Sequence, residues 1–116
     1  MAEPARSSKG MQAPPPIIDG ATVLEYAIVD DSVRFTGRLH LYHGGKRVGP
    51  VPRLAICRKS GMDELLLFHC DNTWSVQGAQ IWNAPDKPAV TSVAEVKRRA
   101  EEAYAGLSAK WVRYDA

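Results

Sequence analysis

A chain of 116 residues with 45% hydrophobic and 24% charged content suits one globular domain, able to bury a core without metal or disulfide support. The formal net charge of +2 conceals an uneven distribution: residues 32–62 carry Arg34, Arg38, Lys46, Arg47, Arg53, Arg58 and Lys59 and no acid, which leaves eight basic and thirteen acidic residues elsewhere. Such a chain points to an acidic partner, and with no apolar run of membrane-spanning length and no secretory leader pattern its expected compartment is the cytoplasm.

Residues 1–18 carry Ala, Ser and Gly and the run Pro14-Pro15-Pro16, a composition that buries little surface against the entropy of ordering. They are expected to form a disordered Pro-rich tail ahead of a single domain over residues 19–116. The proline run lacks a nearby basic flank, so it reads as a stiff linker rather than as a polyproline ligand.

Period-two hydrophobicity at Val23, Leu24, Tyr26, Ile28 and Val29 predicts a first strand that stops at the turn-forming pair Asp30-Asp31. Val33 to His43 predicts a second. Val33, Phe35, Gly37, Leu39 and Leu41 fall on one side and Arg34, Thr36, Arg38, His40 and Tyr42 on the other. Gly44-Gly45 marks a two-residue hairpin, because both positions accept the positive φ of a type I′ turn. Pro50 and Pro52 donate no backbone bond, so the returning strand becomes regular near Arg53 and runs through Leu54, Ala55, Ile56 and Cys57.

A turn around Gly61 leads into Leu65 to Cys70, a nearly continuous apolar run whose length and aromatic content suit a central strand buried on both faces. That turn sets Cys57 opposite Leu66 and Cys70 opposite Arg53, a register that disfavours a disulfide. Asp71-Asn72-Thr73 then turns the chain into a fifth strand over Trp74 to Trp82, with Gly78 at a bulge. Beyond Pro85 and Pro88, Ser92-Val93-Ala94-Glu95 is a capping box, and Gly106 followed by Leu107 signals a glycine-terminated helix end. Val93, Val96, Ala100 and Ala103 or Tyr104 form its apolar stripe; Glu95–Arg99, Lys97–Glu101 and Arg98–Glu102 stand at pairing distance on the solvated side. Trp111 to Tyr114 reads equally as a last strand or as a clamp on the helix end. The expected fold is α+β: an antiparallel meander of about five strands with one C-terminal helix packed on one face, the other face only partly covered.

The candidate partner-binding surface is the polar side of the second strand with its hairpin and the strand after it: Arg34, Arg38, His40, Tyr42, Lys46, Arg47 and Arg53. Basic side chains beside aromatic platforms such as Tyr42, Trp74 or Trp82 suit single-stranded nucleic acid. RNA-recognition signatures, helix-turn-helix and zinc-finger spacings are absent, so acidic protein and nucleic acid stay open. A solvated face neutralised in part by Glu25 accounts for the same residues. A metal or thiol centre is not expected: His69 and Cys70 are adjacent in a strand and point to opposite faces, as do His40 and His43. No phosphate-binding glycine loop, nucleophile elbow or paired-carboxylate arrangement occurs, so neither a catalytic residue nor a cofactor is assigned.

Three functions follow from the sequence. The first is a small non-enzymatic domain that engages an acidic macromolecule through a basic sheet face and hairpin. The second is a small-ligand domain or minor enzyme with a pocket near His69, Cys70 and the tryptophans 74, 82 and 111. The third is a structural or homo-oligomeric role, as a monomer or weak homodimer.

Overall fold

The computed structural model describes residues 13–82, 86 and 89–114. In chain order these form β1 (Ile17–Ile18), β2 (Ala21–Ile28), β3 (Arg34–Phe35), β4 (Tyr42–His43), β5 (Lys46–Arg47), β6 (Arg53–Lys59), β7 (Leu65–Cys70) and β8 (Val76–Ile81), then helix α1 (Val93–Ala103), β9 (Tyr104–Ala105) and β10 (Trp111–Arg113). The main sheet is antiparallel, in the order β1-β2-β6-β7-β8, and β10 pairs with β2 along Glu25–Ala27. One curled sheet of about five strands with a helix near the C-terminus is an α+β fold.

β7 is buried at all six positions, as its apolar run requires of a strand flanked on both sides. Alternate side chains of the sheet feed two apolar clusters. On the helix side, Ala27, Leu54, Ile56, Leu65 and Leu67 pack with Val96, Ala100, Ala103, Tyr104 and Leu107. On the opposite side, Val23, Ala55, Cys57, Leu66, Phe68 and Cys70 pack with Ile18 and Trp74, and Tyr26 and Tyr114 lean on that cluster. The second face is therefore covered as fully as the first: Ala55, Cys57 and Cys70 have no exposed surface. Part of that cover comes from the expected tail. Ile17 and Ile18 pair with Thr22 and Ala21, Pro14 is buried, and the Pro16 carbonyl accepts from Val23 N at 3.0 Å. The fold thus begins ahead of residue 19, and residues 1–12 of the expected tail lie outside the described residues.

Prolines and glycines place several elements where their chemistry dictates. β6 starts at Arg53, directly after Pro52, and the turn at Gly61 (φ +79°) sets Cys57 opposite Leu66 and Arg53 opposite Cys70. Both cysteines are free thiols. Ser92 caps α1, its hydroxyl accepting from Glu95 N at 3.3 Å, but the Glu95 carboxylate turns to Arg98 and Arg99 instead of closing the capping box. Gly106 does take a left-handed φ of +93°, and a Cβ there would meet Ser32 O at 2.9 Å. The helix nevertheless ends at Ala103, because Tyr104 and Ala105 pair with Phe35 and Arg34. The Glu101 carboxylate then accepts from Gly106 N and Ser108 N at 2.6 and 2.9 Å, so Lys97 pairs with Glu25 at 2.6 Å rather than with Glu101. Trp111–Arg113 resolves as a strand, continued by a bond from Tyr114 N to Leu24 O.

The long second strand does not form. β2 pairs directly with β6, which leaves the segment from Val33 to His43 no slot in the sheet. Only Arg34–Phe35, paired with β9, and Tyr42–His43, paired with β5, are strand. Gly37 (φ +81°) breaks the run, and Thr36 Oγ1 donates to Glu102 O at 2.6 Å, pulling the chain onto the end of α1. The alternation of side chains survives: Leu39 is buried and Val33, Phe35 and Leu41 pack on the helix-side cluster, while Arg34, Arg38, His40 and Tyr42 are exposed. What was expected to be a basic sheet face is a basic strap lying across one.

Candidate functional site: a cationic hairpin and its groove

The hairpin is built by its turn. Gly44 and Gly45 have φ of +61° and +81°, the pair of positive angles that a type I′ turn needs, and they align Tyr42 with Arg47 and His43 with Lys46. Val48 N donates to Leu41 O at 2.7 Å and the buried Val48 side chain seats the hairpin over β8. That approach depends on Gly78: a Cβ there would stand 2.9 Å from both Leu41 Cδ2 and Val48 Cγ2. The β7–β8 register shifts beside it, between His69 and Cys70, so the bulge expected at Gly78 is present. Trp74 itself precedes the strand, and β8 is shorter than the expected Trp74 to Trp82.

Arg47 ties the hairpin to the strap. Its Nε donates to Leu39 O at 3.0 Å and its Nη2 to Gly37 O at 2.8 Å, which fixes the plane of the guanidinium. Arg34, Arg38 and Lys46 are exposed and, among the described residues, have no acid in ion-pairing range. Glu25, which the sequence offered as their neutralising acid, lies against Lys97. His40 is exposed, and Tyr42 is 64% exposed.

The remaining cations of the basic segment lie elsewhere. Arg53 is half-buried, donates to Pro52 O at 3.2 Å and has its guanidinium 6.0 Å from the Trp74 ring centroid, which turns it toward the second cluster. Arg58 and Lys59 sit at the other end of β6, about 20 Å away at strand rise, and line a separate groove of about 440 Å³ with Met62 and Asp63. Arg34, Arg38, His40, Tyr42, Lys46 and Arg47 are thus all exposed along residues 34–47, where Arg47 ties the hairpin to the strap, while Arg53 turns toward Trp74 and Arg58 and Lys59 line a different groove.

Beside the hairpin runs a groove of about 410 Å³, lined by His43, Lys46 and Arg47 of the hairpin, by Val48 to Pro52, and by Asp71 and Gln77. Asp71 Oδ1 accepts from Thr73 Oγ1, Thr73 N and Ser75 N at 2.6, 2.8 and 3.0 Å. The Thr73 hydroxyl, then the two amides, hold this carboxyl below its ordinary value. The same turn drives Trp74 to φ +66°, an unfavourable conformation for an aromatic residue, stabilised by burial of the ring edge-on to Tyr26 at 5.7 Å. Asp71 was legible as a turn residue. Its place in the same groove as Lys46 depends on the hairpin packing on β8, for which Gly78 is the signal in the sequence.

His69 and Cys70 occupy opposite faces of β7 and both are completely buried, and neither lines the grooves described. His69 Nε2 bonds Gln80 Oε1 at 2.7 Å while Nδ1 has no partner, and burial pushes the ring's pKa below its ordinary value. Burial likewise pushes the Cys57 and Cys70 thiols up to about 12, so neither is a ready nucleophile. The tryptophans do not converge: Trp74 belongs to the second cluster, while Trp82 and Trp111 lie on the helix side beneath Arg99 and Lys97. Among the described residues no three His, Cys, Asp or Glu side chains gather as a metal site, and no helix is long and apolar enough to cross a membrane.

Comparison with protein-family models, with curated proteins and with solved structures finds no match for this chain, and the chemistry of the site is read from its own geometry.

Proposed function

We propose that this protein is a small non-enzymatic binding domain that engages an acidic macromolecule through its strap and hairpin, with Arg34, Arg38, His40, Tyr42, Lys46 and Arg47 as the contacting residues. One observation carries the reading: Arg34, Arg38 and Lys46 stand exposed without an acid partner among the described residues, while Lys97, Arg98, Arg99 and Lys110 are each held by a carboxylate. Unpaired cations on one surface raise the local potential, favouring encounter with a polyanion and making binding sensitive to salt. Arg47 adds a guanidinium already oriented by two backbone carbonyls, so little side-chain entropy is lost when it meets a phosphate or carboxylate.

A titration of the protein with a short polyphosphodiester and with a short polyglutamate, followed by backbone amide NMR at low and moderate salt, tests this. Shifts concentrated between Arg34 and Arg47 that shrink as salt rises are the expected result. An unchanged spectrum with both polyanions, or shifts confined to the Arg58–Asp63 groove, would remove the strap and hairpin from the reading.

A further inference from the structure

Two features of the hairpin and its groove go beyond what a chain of carboxylates alone requires. Tyr42, at 64% exposure, is the most exposed large apolar side chain among the described residues, and it sits on a two-stranded ribbon with Lys46 and Arg47, directly across from Arg47. A carboxylate uses the hydroxyl of a phenol as a donor, whereas a nucleobase uses the face of the ring by stacking on it. The second feature is the acid in the groove. Asp71 lines the same groove as Lys46; its Oδ1 is filled by Thr73 and Ser75 and, among the described residues, its Oδ2 is approached by Gln77 Nε2 at 3.5 Å. A carboxylate repels a polyglutamate and a bare phosphodiester alike, but it accepts from the exocyclic amine of a base.

Phosphates for the cations, a base face for Tyr42 and a base-edge donor for Asp71 occur together on one class of molecule. Resting on the polyanion reading above, we infer that the partner is a single-stranded nucleic acid, with one base stacked on Tyr42, phosphates on Lys46 and Arg47, and a neighbouring base edge turned into the groove toward Asp71. The ribbon is one strand pair wide, about 5 Å between its strands, so a flexible nucleic-acid strand can cross it from Tyr42 to the groove. A duplex cannot present the same groups, because its base faces are buried in the stack.

The test compares two ligands that differ only in their bases: a short mixed-sequence RNA and an abasic phosphodiester of the same length, each fluorescently labelled and titrated by anisotropy at low salt against the full chain. The RNA is expected to bind about tenfold more tightly than the abasic strand, the gain typical of one stacked base. Tyr42→Ala, a change at an exposed position, is expected to erase that difference by bringing the RNA down to the affinity of the abasic strand; Tyr42→Phe, which keeps the ring, is expected to retain it. Equal affinity for the two strands would overturn the nucleic-acid assignment and leave the polyanion reading standing. Binding to neither would overturn both, and an RNA preference that survives Tyr42→Ala would remove Tyr42 as the stacking platform and the proposal with it.

Discussion

Helix α1 and the strap-hairpin segment carry comparable runs of positive charge and use them in opposite ways. On the helix, Lys97 meets Glu25 at 2.6 Å, Arg99 meets Glu95 at 2.9 Å while lying over Trp82, and Arg98 lies between Glu95 and Glu102. The helical period itself supplies the partners of Arg98 and Arg99, by setting acids three and four residues away, while β2 supplies that of Lys97. The strap has no acid from Ser32 to Met62, and Glu25 of β2 is engaged by Lys97. Charge content alone therefore does not mark a binding surface. The two regions differ in the availability of the charge, which depends on sequence spacing within an element and on where the acids of other elements fall.

The comparison can be tested hardest at its foundation. Leu67 is fully buried in the cluster on which both the helix and the strap rest. Leu67→Ala is expected to destabilise the protein by about 2–5 kcal/mol, through lost transfer energy and the cavity left behind. Urea denaturation should show the strap and α1 melting together; a strap that opens well before the helix would show that the two do not share one core. Next in size, the triple variant Arg34→Glu/Arg38→Glu/Lys46→Glu is expected to weaken polyanion binding by roughly a hundredfold at low salt, since each lost phosphate contact lowers both the affinity and its salt slope. Arg98→Gln, on the helix, should change that affinity by less than about twofold, and equal losses from both sets would abolish the contrast.

Gly78→Val sharpens the comparison from below. The new side chain collides with Leu41 and Val48, so it is expected to cost about 1–3 kcal/mol and to raise amide exchange in the hairpin while α1 stays protected. The smallest effect concerns pH. Burial lowers the folded-state pKa of His69 from its ordinary 6.5, so below that value the unfolded chain binds the proton more readily than the folded one. Stability is then complete above about pH 6.5 and falls as pH drops, by at most about 1.4 kcal/mol per pH unit for a single group. The slope of urea-derived stability between about pH 7 and pH 5 should be shallower in His69→Gln.

Much of this architecture is legible in the chain because it is written in local chemistry. Pro50 and Pro52 place the start of β6, Gly61 sets the Cys57–Leu66 register, Ser92 starts α1, and Gly44-Gly45 turn the hairpin. The strap was not legible as such. Alternation from Val33 to Leu41 fits any extended segment with one side against a core, and only the direct β2–β6 pairing, a choice made by distant residues, excludes it from the sheet. The end of α1 was misplaced for a similar reason, since Gly106 signals a stop but the β3–β9 pairing imposes it earlier. Of the site, the cations and Tyr42 were visible in sequence. The anchoring of Arg47 on Gly37 and Leu39, and the presence of Asp71 and Lys46 in one groove, arise from tertiary packing and were not.

The most direct test of the central claim, that the unpaired cations of the strap and hairpin are the binding surface, is an amide chemical-shift titration of the full chain with a short single-stranded RNA at two salt concentrations. The account predicts shifts clustered from Arg34 to Arg47 and at Asp71 and Gln77, weakening as salt rises. Shifts centred on α1, or a spectrum indifferent to the RNA at low salt, would contradict it.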